Sequence, residues 1–255
     1  LRGQPRMVEA DPSVAPHLRI PPVPEPVARY LVEGMHEIPG WGLTAETARL
    51  VVLLDAWQKE RGVRGSLLEI GVHHGRSAIL LALLAGRGET TVLVDLFERQ
   101  GENIDRSGMG DRAILEANLA HWCPEAQTQI VQANSLDLDF GALSLTGGLR
   151  LAHIDGGHHI EAVLNDLRKT AAALVPDGIL LIDDFLHLHW PEVMEGCYAF
   201  LAQTPQVAAV SIGWNKMVMA SAESADDLRA WLSARIDPAR ITHVRVRQEP
   251  CLAFG

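Results

Sequence analysis

The stretch Leu67-Leu68-Glu69-Ile70-Gly71-Val72-His73-His74-Gly75-Arg76-Ser77 decides the fold of this 255-residue chain. A short apolar run ends in an acid, two glycines follow four residues apart, and an apolar segment then reads as a helix over about 77–84. This pattern predicts a buried parallel strand that turns sharply into a helix. Gly71 allows a tight bend or close approach of a ligand. The free N–H groups at the helix start, with the Ser77 hydroxyl, suit an anion such as a carboxylate or phosphate.

The glycine spacing separates two kinds of nucleotide site. The dinucleotide fingerprint needs G-x-G-x-x-G, but Val72 and His73 follow Gly71, so the middle glycine is missing. This disfavours a nucleotide-binding oxidoreductase. An acid just before a Gly-x-x-x-Gly turn instead resembles motif I of the class I S-adenosylmethionine-dependent methyltransferases. A tight strand–helix turn in another kind of α/β protein remains the alternative at this point.

Length and charge exclude several classes of protein. A chain of 255 residues can hold one large domain with extra segments. Its 22 basic and 32 acidic residues leave a net charge of −10, which argues against nucleic acid or an anionic membrane as the main partner. No apolar run reaches the roughly 18 residues of a membrane span, and residues 1–10 lack the apolar core of a secretory signal. The scattered cysteines fit reduced thiols, so we expect a cytoplasmic protein.

Residues 1–62 are predicted to form an N-terminal arm and a helical cap. The proline-rich run over 21–26 is typical of extended chain, and a short helix is expected over about 27–35. Thr44 is a candidate cap for a second helix that reaches about Arg61. This segment is expected to pack ahead of the first strand, where it would roof the site or pair two subunits of a homo-oligomer.

From residue 63 to 255 strands and helices alternate, which predicts a parallel sheet with right-handed crossovers. The predicted strands are 66–70, 91–94, 129–133, 149–154, 179–182, 208–214 and 241–248, and 216–220 is a candidate partner strand for 208–214. Helices are expected over about 160–174, closed by Pro176-Asp177-Gly178, and near 192–201 and 225–236. The expected fold class is α/β: a Rossmann-like, seven-stranded, mostly parallel sheet with helices on both faces and an N-terminal helical extension.

One loop and several strand ends carry the candidate chemistry. The polar, glycine-rich segment 97–112 follows the second strand; a loop this long is either disordered or a functional lid, and we expect a lid. Ligands of open α/β sheets bind outside the carboxyl ends of the strands. Asp95 ends the second strand, where an acid accepts both ribose hydroxyls of a nucleoside. Asn134 and Ser135 end the third strand, within expected reach of an adenine ring, with turn chemistry as the alternative.

Three further acids end the next two strands. Asp155 follows the fourth strand, and Asp183 and Asp184 follow the fifth. Because these strands are expected to be neighbours, the carboxylates converge and repel, and a divalent cation removes that conflict. Hard oxygen ligands suit Mg²⁺, with Mn²⁺ or Ca²⁺ as alternatives. The other interpretation is that one aspartate caps a helix while another faces solvent.

Two histidines follow Asp155 directly. His158 lies three residues on and His159 four. An imidazole takes up a proton near neutral pH, so His158 is the candidate general base and His159 the alternative. His187 and His189 follow the fifth strand and are expected on the loop surface, with a place at the border of the site as the alternative. A zinc site is disfavoured because no H-E-x-x-H spacing occurs.

The order of these motifs resembles the metal-dependent class I O-methyltransferases. Two branches are similar: the macrocin and mycinamicin sugar O-methyltransferases, and the catechol and caffeoyl-CoA O-methyltransferases. The resemblance covers about 66–190. In the catechol branch a lysine is the base and an asparagine the last metal ligand, whereas this chain has His158 and Asp184 there. These departures favour the macrolide-sugar branch.

The resemblance implies a role for each matching residue. Glu69, Gly71 and Ser77 would hold the amino-acid end of S-adenosylmethionine, and Asp95 its ribose. The full implied cofactor-binding set is Glu69, Gly71, Val72, His73, Gly75, Ser77, Asp95, Asn134, Ser135 and Asp155. The implied metal ligands are Asp155, Asp183 and Asp184, and the implied catalytic residues are His158 and Asp155.

The function expected from these residues is metal-assisted O-methylation. S-adenosylmethionine would donate its methyl group to a hydroxyl of a small molecule, a sugar or another natural-product intermediate. Three alternatives stay open: a catechol-type enzyme, a metal-independent methyltransferase, and a non-catalytic binding protein on the same fold. The expected partner is the hydroxylated small molecule, with neither nucleic acid nor membrane.

Overall fold

A computed structural model describes residues 5–255; the first four residues of the predicted arm lie outside this range. The strands are β1 (Met7–Val8), β2 (Val23–Pro24), β3 (Ser66–Ile70), β4 (Thr91–Asp95), β5 (Thr128–Gln132), β6 (Leu149–Ile154), β7 (Leu174–Ile182), β8 (Val207–Gly213), β9 (Lys216–Ser221), β10 (Ile241–Val246) and β11 (Glu249–Phe254). The first two form a small antiparallel sheet of their own. The other nine form the central sheet.

The central sheet has the order β10-β11-β8-β9-β7-β6-β3-β4-β5. The five strands from β7 to β5 run parallel, while β9 joins β7 and β8 in antiparallel pairs. The α/β, mostly parallel prediction is therefore confirmed, but the count of seven strands is wrong. One reason is the predicted strand 241–248: the chain reverses at Arg247 and Gln248, which have φ of 50° and 72°, and returns as β11.

The helices cover both faces of the sheet. They are α1 (Glu25–Arg29), α2 (Met35–Glu37), α3 (Ala45–Glu60), α4 (Arg76–Leu84), α5 (Arg112–Trp122), α6 (Ile160–Ala172), α7 (Pro191–Gln203) and α8 (Ala225–Ser233). Apolar residues of α3, α4, α5 and α8 share one buried cluster, and those of α6 and α7 share a second. Among residues 5–255, no helix is long and apolar enough to cross a membrane.

The N-terminal segment is less regular than expected. The helix predicted over 27–35 is split into α1, a π-helical turn over Tyr30–Gly34, and α2. By contrast, Thr44 caps α3 as predicted, since its side chain accepts from the Thr47 amide and Thr47 bonds back to the Thr44 amide. Arg49 of α3 donates to the carbonyl of Leu18 at 2.8 Å, and this anchors the extended arm on the helix.

The segment Pro176-Asp177-Gly178 differs from its predicted role as a helix stop. Helix α6 ends earlier, at Ala172, and the three residues lie within β7. The pairing of β6 with β7 shifts between Leu149, opposite Leu174, and Leu151, opposite Ile179. The three residues therefore fall in an irregularity of the ladder, where a proline without an N–H is tolerated.

Candidate functional site

A cavity of about 580 Å³ opens at the carboxyl ends of the parallel strands. This is a typical size for a small-molecule site. The predicted site residues that line it are Gly71, Val72, His73, Ser77, Asp95, Asn134, Ser135, Asp155, His158, His159, Asp183, Asp184 and His187. The structure thus brings together most of the predicted set. Glu69, Gly75 and His189 are not among the lining residues.

The turn between β3 and α4 is shaped by its two glycines. Gly71 has a φ of 86°, and a Cβ there would overlap the carbonyl oxygen of Asp155. Gly75 has a φ of 93°, and a Cβ there would lie 2.6 Å from a methyl carbon of Leu115. Both glycines therefore serve close backbone packing, and Gly75 acts on the cavity indirectly through the course of the turn.

Glu69 lies beneath the turn and is fully buried. One of its oxygens accepts from the Ser77 hydroxyl and lies 2.6 Å from Nδ1 of His153. The strand register sets Glu69 directly opposite His153. The carboxylate thus holds Ser77 from below and does not face the cavity. His153 was missed in the sequence, where the only signal was its place two residues before Asp155.

Asp95 organises the turn from the neighbouring strand. One oxygen accepts from the backbone amides of Val72 and His73, both at 2.7 Å, and the other accepts from the amide of Phe97, also at 2.7 Å. Three charge-assisted bonds to backbone donors fix this carboxylate firmly. It lines the cavity while tying two strand ends together.

Asn134 and Ser135 lie at the next strand end along the rim. The Asn134 side chain accepts from the amide of Leu136 at 3.1 Å, which is turn chemistry. The Ser135 hydroxyl donates to Asp166 of α6 at 3.1 Å. Burial raises the pKa of Asp166 to about 6, against the opposing effect of donors from Asn165 and Ser135. Sequence reasoning missed Asp166, which looks like an ordinary polar position of a helix.

The acids after β6 and β7 do not converge as three equivalent ligands. One ligand atom each of Asp155, His158 and Asp184 lies within 4.8 Å of the other two. Asp183 instead forms a buried ion pair with Lys216 of β9, and its other oxygen accepts from the amide of Asp184 at 2.7 Å. The sequence predicted His158 as a base and not as part of the ligand cluster. It did not predict a role for Lys216.

The charges of the cluster differ from acid to acid. Burial, together with the neighbouring charge of Asp183, raises the pKa of Asp155 well above its usual value. Burial also disfavours ionisation of Asp184, but His158, 3.0 Å away, and Asn215, which donates at 2.6 Å, outweigh it and lower its pKa. The site therefore holds an ionised Asp184 beside an Asp155 that resists ionisation.

The loop after β4 folds over His158. Asp105 accepts from the backbone amide of His158 at 2.5 Å and lies 3.2 Å from its Nδ1. The imidazole stacks on Trp190 with ring centroids 4.4 Å apart and an angle of 15° between planes. His159 is less closely held, with its Nδ1 3.6 Å from Asp105. Neither Asp105 nor Trp190 was singled out in the sequence.

Comparison with known proteins supports the class that this site indicates. Residues 68–185 match the family described as a methyltransferase domain. The matched segment is therefore similar to a methyltransferase domain, in agreement with the resemblance to the class I, S-adenosylmethionine-dependent methyltransferases expected from the sequence. A search of curated proteins finds no match to this sequence.

Solved structures show the same fold at low identity. The O-methyltransferase NovP is 16% identical, with a TM-score of 0.58 over 68% of this chain and 79% of that chain. An O-methyltransferase from Bacillus cereus, solved with SAH, is 16% identical, with a TM-score of 0.53 over 77% and 90%. TomG from Streptomyces achromogenes, an O-methyltransferase involved in tomaymycin synthesis and solved with SAM, is 17% identical, with a TM-score of 0.52 over 77% and 89%.

Proposed function

We propose that this protein transfers the methyl group of S-adenosylmethionine to a hydroxyl of a small molecule, a sugar or another natural-product intermediate. The observation that carries the proposal is a single cavity that joins the glycine turn of a methyltransferase domain to Asp155, His158 and Asp184. A cofactor at one end and proton-accepting groups at the other are what methyl transfer to oxygen needs, because donor and acceptor must be held in line.

The cofactor would lie along the rim from the glycine turn to Ser135. The amides at the start of α4 and the Ser77 hydroxyl suit the carboxylate of its amino-acid end. Asp95 keeps acceptor capacity beyond its three amide bonds, since a carboxylate offers about four lone-pair sites. That capacity suits a ribose hydroxyl. Asn134 and Ser135 would border the adenine.

His158 is the proposed proton acceptor. Asp105 lies 3.2 Å from Nδ1 and Asp184 lies 3.0 Å from Nε2, so each ring nitrogen has a carboxylate beside it. With its proton held on Nδ1 by Asp105, the imidazole accepts at Nε2 once an acceptor hydroxyl takes the place of Asp184 beside that nitrogen. An imidazole oriented in this way can take the proton of an acceptor hydroxyl as the methyl group arrives.

A divalent cation fits the acids of this site. Asp155 has a raised pKa and lies beside other carboxylates, so a positive charge there would be strongly favoured. Asp155 and Asp184 would supply oxygen ligands suited to Mg²⁺, with Mn²⁺ or Ca²⁺ as alternatives. When bound, the cation would act as a Lewis acid that lowers the pKa of the acceptor hydroxyl.

The first experiment tests cofactor and base together. Titration calorimetry should detect S-adenosylmethionine binding to the wild type, and a set of diol-bearing sugars and catechols should reveal an acceptor. His158→Ala should keep cofactor affinity and lower kcat by roughly 10²–10⁴, the usual contribution of a positioned base. His159→Ala is the matched control and should turn over like wild type.

The same assays decide between the alternatives. Absence of cofactor binding by the wild type would exclude the enzyme and leave a binding protein on this fold. Full turnover in EDTA would indicate a metal-independent methyltransferase. Preference for catechols over sugars would favour the catechol-type reaction. If His159→Ala is impaired and His158→Ala is not, the wrong histidine has been assigned.

A further inference from the structure

A lysine and an aspartate form a buried ion pair beside the proposed acceptor site. Lys216 and Asp183 are 2% and 3% exposed, and their charged groups are in direct contact. Within residues 5–255, the ammonium has no hydrogen-bonding partner besides this carboxylate. Lysine is almost never buried unless it is paired, since an uncompensated buried charge is costly. Asp183 is therefore the carboxylate in direct contact with the ammonium, and the charge of Lys216 also acts on the neighbouring Asp155.

The backbone holds this pair in register. Strand β7 pairs antiparallel with β9, and Ile182 faces Met217. One step further along the same ladder, Asp183 comes opposite Lys216. Side chains directly opposite on one face of an antiparallel pair interact. The contact thus follows from the strand pairing and not from a flexible side chain that happens to reach the acid.

The pair is also enclosed. A Cβ on Gly42, in the loop before α3, would overlap the carboxylate of Asp183 and lie 3.3 Å from Nζ of Lys216. On the other side, Nε2 of His153 lies 3.8 Å from Asp183. The second oxygen of Asp183 accepts from the amide of Asp184 at 2.7 Å. Both carboxylate oxygens therefore already have donors or a cation.

The pair changes the charge that a cation would meet. Asp155, Asp183 and Asp184 would carry three negative charges when ionised, and Lys216 cancels one of them. Two charges remain, the number that one divalent ion neutralises. We propose that Lys216 is a positioning residue. Its ion pair with Asp183 keeps that carboxylate from binding a cation, so that Asp155 and Asp184 are the carboxylates that ligate it. This inference rests on the proposed function and revises the three-aspartate ligand set implied by the family resemblance.

The test is a paired exchange that removes both charges at once. Asp183→Ala with Lys216→Met deletes the carboxylate and the ammonium, leaves no oxygen ligand at position 183 and keeps the net charge of the cluster unchanged. Mn²⁺ affinity, measured by electron paramagnetic resonance on purified protein, should stay within about threefold of wild type. Asp184→Ala is the control and should weaken Mn²⁺ binding by about a hundredfold or more, since it removes a ligand.

The single variant gives a second measurement if the double variant does not fold. Lys216→Met frees the third carboxylate and should tighten Mn²⁺ binding by about tenfold, because a nearby positive charge is gone. Lys216→Arg keeps the charge and should restore wild-type affinity. Circular dichroism checks the fold of each variant.

Three results would overturn the inference. The paired exchange could weaken Mn²⁺ binding as severely as Asp184→Ala, which would make Asp183 a ligand. Lys216→Met could leave Mn²⁺ binding unchanged or weaker, or the wild type could bind no Mn²⁺ at millimolar concentration. S-adenosylmethionine titration on the same samples separates these failures from failure of the proposed function, since it reports on the cofactor end of the cavity alone.

Discussion

Gly71 and Asp166 show how single residues set the properties of this cavity. Gly71 brings the cofactor turn against the backbone of Asp155, so two strand ends meet without a side chain between them. Asp166 supports Ser135 from α6 with a carboxyl that burial keeps partly protonated near neutral pH. Neither residue needs to touch a substrate to matter, because each fixes the position of a group that lines the cavity.

Gly71→Ala should weaken S-adenosylmethionine binding by at least about tenfold and destabilise the fold by roughly 1–3 kcal/mol, the usual cost of overpacking. The added methyl would displace the backbone of Asp155 as well as strain the turn. Calorimetric titration and thermal unfolding measure the two effects. Gly88→Ala is the control, because Gly88 also has a positive φ, 80°, but nothing lies within 4 Å of its added Cβ. Equal effects in both variants would mean that backbone strain alone is responsible.

Asp166→Asn should stabilise the protein in alkaline buffer. The pKa of Asp166 is raised from 3.8 to about 6, so its contribution to stability is complete below pH 3.8 and is lost as pH rises through about 6. At pH 8 the variant should exceed wild type by about 1–3 kcal/mol, and the gain should shrink toward pH 5. Urea unfolding across this range measures it. The exposed Asp137→Asn is the charge control, and a gain independent of pH would contradict the assignment.

At the scale of elements, the loop between β4 and α5 acts as a cover. Residues 96–111 separate these elements, and the side chain of Asp105 is only 9% exposed because it lies against His158. On the proposed base the cover is held by Asp105 and by the Ser107 hydroxyl, which lies 3.3 Å from Nδ1 of His158. This arrangement agrees with the lid expected from the sequence, which stays a prediction; closure of such a lid would orient His158.

Asp105→Ala should loosen this cover. Loss of a bond to a charged group costs about 1.5–3 kcal/mol, so the open population should rise at least about tenfold. Trypsin cleavage after Arg99, an exposed residue of the same loop, should accelerate accordingly. Turnover should fall because the imidazole loses its orienting partner. Asp105→Asn keeps the shape of the side chain and should have an intermediate effect; cleavage at the wild-type rate in both variants would rule out the lid.

At the scale of the whole molecule, the two ends of the sheet have separate tasks. The carboxyl end holds the cavity, whereas the opposite end holds Arg150, which is fully buried. Its guanidinium contacts Glu89 at 3.0 Å, Asp55 at 2.9 Å and Gln58 at 3.0 Å. This network ties β6 to α3 and to the segment before β4. It lies outside the lining of the cavity.

Arg150→Met should therefore destabilise the fold without changing the site. Removing one partner of a buried charge network costs about 3–5 kcal/mol, because the remaining charges are left uncompensated. The melting temperature should fall, while the dissociation constant for S-adenosylmethionine, measured well below it, should stay at the wild-type value. Arg150→Lys, which retains the charge, should lose less stability. A large change in cofactor affinity would show that the two ends are coupled.

The sequence by itself determined the α/β fold, the glycine turn and the rim of acids. These are local signals: apolar runs mark buried strands, and the carboxyl ends of parallel strands meet at one edge whatever the details of their packing. Asp95, Asp155 and Asp184 therefore reach the cavity as expected. Capping of α3 by Thr44 was likewise readable, because it depends on residues three positions apart.

Only the tertiary structure decided which partner each acid takes. Glu69 meets His153 through the register of β3 and β6, and Asp183 meets Lys216 through an antiparallel ladder between β7 and β9. Asp105 reaches His158 from a loop whose path the sequence does not predict. These contacts join residues 33 to 84 positions apart, the separations of Asp183 from Lys216 and of Glu69 from His153. Composition and short-range periodicity do not predict such pairings. The sequence shows which residues are acids, but the packing of distant strands decides which residue neutralises each of them.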